Sequence, residues 1–234
     1  MTRDSAQRAR DQLVDGLHRL GLDASLAEPM LAYLHELQRW NKAYNLTSVR
    51  DLGEMVTRHL LDSLVIIHAL DALSSPEPRA PGPAVVDVGA GAGLPGIPLA
   101  IARPQARVTL LDSNGKKVRF MRHAIRTLGL DNAEAHQARA ETFAPAAPFD
   151  VVTSRAFAAL GDFLRWTDHL AGAHGVWLAM KGKLAGPEIA QLPEGFQVIS
   201  ADALHVPGLQ EDRHLVVVRR VSGPAAPPNR SEQP

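Results

Sequence analysis

The first seventy residues repeat apolar positions with a period near 3.6. Leu13, Leu17 and Leu20, then Leu31, Leu34 and Leu37, then Met55, Leu60, Leu61 and Leu64 recur with charges between them, the pattern of helices that bury one face. Pro29 suits the first turn of the second helix, where a missing N–H costs nothing. From Ala84 onward the pattern changes. Short β-branched or apolar runs predict strands over Ala84–Val88, Arg107–Asp112, Ala133–Ala138, Asp150–Ser154, Gly175–Met180, Phe196–Ser200 and Leu215–Arg219. Between them, helical spacing predicts helices around Gly96–Ala102, Lys116–Leu128, Leu160–Leu170 and Pro187–Leu192. Such alternation predicts a doubly wound α/β domain, a mostly parallel sheet covered on both faces with ligands beyond the carboxyl ends of its strands. Residues 1–72 then form a helical extension and 84–220 the α/β domain. The proline-rich stretch 73–83 predicts a linker, and the Pro- and Ala-rich residues 221–234 a disordered tail.

Composition narrows the class. At 45% apolar residues, the 234-residue chain can build a sizeable core. Lys+Arg and Asp+Glu both total 25, so a nucleic-acid partner would need a local basic patch. The absence of cysteine excludes disulfides, thiolate metal sites and a cysteine nucleophile. The ten histidines show no H-x-x-x-H or H-E-x-x-H pair, so no metal is expected. No apolar run reaches the roughly 18–20 residues of a membrane span, and the first twenty residues lack a signal-peptide core. The reading is a cytoplasmic protein, acting as a monomer.

The densest chemical signal is Val85-Val86-Asp87-Val88 running into Gly89-Ala90-Gly91-Ala92-Gly93-Leu94-Pro95-Gly96. A glycine turn after a buried strand lets a ligand lie against the backbone. Asp112, ending the second strand, has the spacing of an acid that holds ribose hydroxyls. Gly91, Gly93 and Gly96 also fit the dinucleotide pattern G-x-G-x-x-G. Asp87, two residues before Gly89, tilts the choice toward S-adenosylmethionine, whose methionyl ammonium suits a carboxylate better than a pyrophosphate does. Pro95 and Pro98 weaken the next helix as a phosphate cradle.

Beyond the turn, Trp40-Asn41-Lys42-Ala43-Tyr44-Asn45-Leu46-Thr47, Arg58-His59-Leu60-Leu61-Asp62-Ser63 and the Asp87–Gly96 block resemble the RsmG (GidB) family. So do Leu111-Asp112-Ser113 with Lys116-Lys117, Arg139-Ala140-Glu141, Ser154-Arg155-Ala156-Phe157, Met180-Lys181-Gly182 and Arg213-His214-Leu215-Val216-Val217. The resemblance spans about residues 30–220. It implies methylation of guanosine N7 in 16S ribosomal RNA, on free RNA or the small ribosomal subunit, with S-adenosylmethionine as donor. It also implies a seven-stranded, mostly parallel, Rossmann-like methyltransferase sheet behind an N-terminal helical extension, its last strand antiparallel. The cofactor residues expected on this basis are Asp87, Gly89, Gly91, Gly93, Leu94, Asp112, Ser113, Ala140, Glu141 and Arg155. Asp112 would meet the ribose, Ala140 and Glu141 the adenine.

The chemistry agrees. Guanine N7 carries a lone pair and no proton, so alignment without a general base suffices. After the fourth strand stands Thr153-Ser154-Arg155-Ala156-Phe157, not the Asn/Asp-Pro-Pro-Tyr motif of amino-methylating enzymes. Arg155 is the candidate catalytic residue, able to hold guanine O6 or a phosphate. Phe157 could stack on a base or pack in the core. Lys116, Arg119, Arg122, His123 and Arg126 share one side of a helix, and Lys181 follows the fifth strand. Lys116, Arg119, Arg122, Arg126 and Lys181 are therefore candidate RNA contacts, with a solvated helix face as the plainer alternative. A methyltransferase for a small molecule or protein, and a non-catalytic binding module, remain open.

Overall fold

Burial of one helix face builds the N-terminal region. The computed structural model describes residues 3–73, 82–155, 157, 159–184 and 186–221; most of the expected linker and all but the first residue of the expected tail lie outside them. Helix α1 (Arg3–Arg19) turns Leu13 and Leu17 inward against α2 (Ala27–Tyr44), which buries Met30, Tyr33, Leu34 and Leu37. Asn45 ends α2 in the left-handed region (φ 49°), which asparagine tolerates. The chain then folds back onto α2. Asn41 Nδ2 donates to the Thr47 carbonyl and its Oδ1 accepts from Thr47 N, both at 2.9 Å.

Asp51 caps the short α3 (Leu52–Met55), which passes directly into a π-helical run, Val56–Leu61, then α4 (Asp62–Leu64) and, after a turn, α5 (Ile67–Asp71). The periodicity predicted helix here. It did not predict the π-helical widening, a feature found mostly at functional sites, nor that every residue from Val56 to Leu64 except Arg58 would be buried.

Strands β1 (Ala84–Val88), β2 (Arg107–Asp112), β3 (Ala133–Gln137), β4 (Phe149–Ser154), β5 (Ala171–Lys181), β6 (Phe196–Ala203) and β7 (His214–Arg220) form one sheet in the order β3-β2-β1-β4-β5-β7-β6. All neighbours pair in parallel except β7, which runs antiparallel to β5 and β6. Successive strand residues point to opposite faces. Val85, Val108 and Leu110 join the N-terminal helices, α6 (Gly96–Ala102) and α7 (Gly115–Leu128) in one core. Val86, Val152, Trp177 and Val218 pack with α8 (Leu160–Thr167) on the other face.

Strand pairing lengthens two strands beyond their local pattern: β5 begins at Ala171, paired with Phe149, and β6 continues to Ala203, paired with His214. The helix expected over Leu160–Leu170 tightens to a 3₁₀ turn after Thr167, whose hydroxyl accepts from Trp177 Nε1 at 2.9 Å. The last expected helix, Pro187–Leu192, is the shorter α9 (Gly186–Ala190). Among the described residues no helix is long and apolar enough to cross a membrane.

Candidate functional site

The glycine turn takes its shape from backbone geometry that side chains would oppose. Gly89, Gly91 and Gly93 have φ of 71°, 61° and 86°, and a Cβ on Gly89 would meet nothing within 4 Å, so the space beside it is open to a ligand. The turn is tied to its neighbour strand: Gly89 N and Ala90 N both donate to the Leu111 carbonyl, at 2.8 and 3.0 Å. Asp112 Oδ2 accepts from Gly91 N at 2.9 Å and Oδ1 from Asn114 N at 2.8 Å. Lys117 Nζ stands 3.6 Å from the same carboxylate.

Asp87 braces the turn from beneath. Its Oδ2 accepts from Gly96 N at 2.8 Å, and its Oδ1 is buried without a partner among the described residues. Burial raises its pKa to about 7, opposed by the Gly96 N–H and the charge of Arg155. A Cβ at Gly96 would run into the Leu110 side chain and that carboxylate, so the start of α6 can sit this low only with glycine.

A cavity of ≈370 Å³ opens beside the turn. It gathers Gly89, Asp112, Ser113, Ala140 and Glu141 from three separate segments. Lys117, Arg139 and Trp166 also line it and were not foreseen. Lys117 had a signal, standing one turn into a helix that starts just after Asp112; Trp166 had only its exposure on an amphipathic helix. Phe157 forms part of the wall and packs on Phe163 and Trp166, with ring centroids 5.1 and 5.7 Å away.

Five expected cofactor residues do not line this cavity: Asp87, Gly91, Gly93, Leu94 and Arg155. Asp87 is fully enclosed, and the contact it makes is with the Gly96 N–H of the turn. Leu94 is buried in the apolar core beneath it. The remaining set fits S-adenosylmethionine. A carboxylate and a hydroxyl at the end of β2, aromatic rings opposite, and open backbone at Gly89 suit a ribose, an adenine and a methionyl chain in turn.

A second cavity, ≈390 Å³, lies at the same carboxyl end of the sheet. Arg155 lines this one and not the first. Its Nη1 donates to the Arg58 carbonyl at 2.9 Å and to Asp62 Oδ2 at 3.1 Å. Arg213 Nε takes the other oxygen of Asp62 at 2.8 Å. Asp62 is thus a buried carboxylate gripped by two guanidiniums, one just after β4 and one just before β7. Lys181, nearly buried, pairs with Glu188 at 2.5 Å and donates to the Phe157 carbonyl at 3.1 Å. His59 Nε2 is 2.9 Å from Thr47 Oγ1, while its Nδ1 is buried with no partner among the described residues. Burial, helped by the charge of Arg155, pushes its pKa down to about 4, so the ring is neutral at neutral pH. Asp62, His59 and Arg213 stood in the motif blocks without a role.

The basic side of α7 is partly dissolved by packing. Lys116, Arg119, Arg122 and Arg126 are exposed, although Arg122 Nε donates to the Ala135 carbonyl at 2.9 Å. None of the four lines either cavity. His123 leaves the stripe altogether. It sits between helices, 2.6 Å from Glu36 of α2 and with its ring 4.8 Å from that of Trp40, because its turn of α7 faces α2.

Sheet order, the antiparallel β7 and the glycine turn define the Rossmann-like methyltransferase class. Two solved structures share this fold. TrmN from Thermus thermophilus has a TM-score of 0.52 and 20% identity, covering 71% of this chain and 53% of that one. A ribosomal protein L11 methylase from Lactobacillus delbrueckii subsp. bulgaricus has a TM-score of 0.50 and 18% identity, covering 68% and 76%.

Sequence relatives are nearer. The GidB family model, described as rRNA small subunit methyltransferase G, matches residues 26–216. A ribosomal RNA small subunit methyltransferase G from Pseudomonas aeruginosa (strain LESB58) is 50% identical over 218 residues, 92% of this chain and 98% of that protein. One from Escherichia fergusonii is 53% identical over 190 residues, 81% and 87% of the two chains. The chain belongs to the GidB family of small-subunit rRNA methyltransferases, enzymes that use S-adenosylmethionine.

Proposed function

We propose that the protein transfers the methyl group of S-adenosylmethionine to N7 of a guanosine in the decoding-region loop of 16S ribosomal RNA. One observation carries the reading. The cofactor-shaped cavity and the cation-walled cavity adjoin: Phe157, in the wall of the first, accepts through its carbonyl from Lys181, in the wall of the second. Both lie where α/β sheets bind ligands, beyond the carboxyl ends of the strands.

Bound in the first cavity, S-adenosylmethionine supplies an electrophilic methyl on a sulfonium. In this proposal Asp112 and Ser113 hold the ribose, Ala140 and Glu141 border the adenine, and Asp87 acts through the turn it braces. The second cavity receives the guanine. Arg155 Nε and Nη2 make no hydrogen bond among the described residues and are the donors for guanine O6 or a neighbouring phosphate. Bonding N7 itself would block the attacking lone pair. Since N7 bears no proton, no base is required, and the chain's contribution is alignment. A neutral His59 suits this, and the Asp62 carboxylate is already engaged by Arg155 and Arg213. In this proposal the protein acts as a monomer, in the cytoplasm where ribosomal RNA is made.

The test is transfer from labelled S-adenosylmethionine to 16S rRNA, and to small subunits, prepared from a strain lacking this gene. The expected result is one labelled guanosine, located by chain cleavage at N7-methylguanosine. No transfer to any form of that RNA, by protein that binds S-adenosylmethionine, would overturn the proposal.

A further inference from the structure

A third cavity, distinct from both pockets, lies on the N-terminal helical region. Its volume is ≈420 Å³, and it is formed by α2 and the segment leading into α3, with Gln38, Arg39, Lys42 and Arg50 in its wall. No carboxylate lines it. Arg39 pairs with Glu36 at 2.8 Å, but Lys42 and Arg50 make no ion pair among the described residues. Two unneutralised cations in one concave wall are the chemistry of a phosphate site, in a chain whose total charge is zero.

Its position relates it to the guanine cavity. Val49 lines that cavity and the next residue, Arg50, lines this one. Adjacent Cα atoms are about 3.8 Å apart, so one segment of backbone borders both spaces. That wall is held rigid: Thr47 is hydrogen-bonded twice to Asn41 and once each to His59 and Val49. A strand with its base in one cavity has its flanking backbone within reach of the other.

We infer that Lys42 and Arg50 form a second RNA-binding site, which holds the phosphate backbone beside the target nucleotide, on the far side of the Thr47–Arg50 wall. The inference rests on the proposed RNA methylation. The N-terminal helices then carry the backbone track, while the sheet carries the cofactor and the reactive base. Phosphate contacts of this kind position the strand without reading its sequence.

The test is binding of 16S rRNA to the full chain across a range of salt, comparing wild type with Lys42→Gln/Arg50→Gln. Each lost phosphate contact lowers the log–log salt slope by about 0.7–0.9, so the double variant is expected to fall by about 1.4–1.8, with affinity near 0.1 M salt reduced roughly tenfold. Each single variant is expected to lose about half of that slope, and Lys42→Arg/Arg50→Lys to retain it. S-adenosylmethionine affinity, read at the other cavity, is expected to match wild type and reports that the variants are folded. A double variant with wild-type slope and affinity, alongside a wild-type protein that methylates 16S rRNA, would overturn this inference and leave the function standing. A wild-type protein that transfers no methyl to 16S rRNA would overturn both.

Discussion

Tyr33 of α2 donates its hydroxyl to the main-chain carbonyl of Ala92, 2.7 Å away, in the middle of the glycine turn. The residues are 59 positions apart, so the N-terminal extension is fastened to the cofactor turn and is part of its scaffold. Burial pushes the phenol far above its ordinary pKa, and it remains a donor at any working pH. In Tyr33→Phe the buried Ala92 carbonyl loses this donor, which costs about 1–3 kcal/mol. Thermal unfolding is expected to fall accordingly and S-adenosylmethionine binding to weaken. Unchanged binding by calorimetry would mean the turn holds its shape without α2.

Asp62 is expected to act on RNA turnover through Arg155. Asp62→Asn keeps the shape but leaves Arg155 and Arg213 facing each other without a counter-charge. Breaking a buried pair in this way costs about 3 kcal/mol, and kcat/KM for RNA is expected to fall more than tenfold. The S-adenosylmethionine dissociation constant is expected to stay within about twofold, because neither arginine lines that cavity. Equal losses in both measurements would remove Asp62 from the substrate side.

Two buried groups give opposite pH signatures to the ligand-free protein. Asp87 titrates near 7 against an ordinary 3.8, so its contribution to stability is full below about 3.8 and is lost as pH rises through 7. His59 titrates near 4 against 6.5, so its contribution is full above 6.5 and is lost as pH falls through 4. The two offset each other between 4 and 6.5. Relative to wild type, Asp87→Asn is expected to gain stability as pH rises from 4 to 7, and His59→Gln to gain as pH falls from 6.5 to 4. Denaturant unfolding across pH measures both. Parallel curves for wild type and variant would show that the group is not buried in the way described.

Why the sequence disclosed one cavity and not the other follows from where their residues lie. Parallel strands buried on both faces read as continuous apolar runs, and the glycine turn and Asp112 stand where two of those runs stop, so both were legible as candidate ligand contacts; Ala140 and Glu141 entered only through the family resemblance. The second cavity is assembled across long separations: Asp62 meets Arg155 and Arg213 over 93 and 151 residues, and no local pattern marks that meeting. The π-helical run was equally hidden, since Met55, Leu60, Leu61 and Leu64 fit an ordinary helix. Only the widened turn shows His59 and Asp62 to be buried. On α7, the helical wheel could not foresee that α2 would cover His123 and leave its basic neighbours exposed.

The claim that N7 of a guanosine is the acceptor is tested most directly by removing that one atom. Labelled S-adenosylmethionine is offered with a 16S rRNA transcript and with the same transcript made with 7-deazaguanosine, which keeps Watson–Crick pairing but has carbon at position 7. The expected result is label on a single guanosine of the first transcript, none on the second, and none on either with Arg155→Ala. Label of equal intensity on the 7-deaza transcript would put the methyl group on another atom and contradict the account.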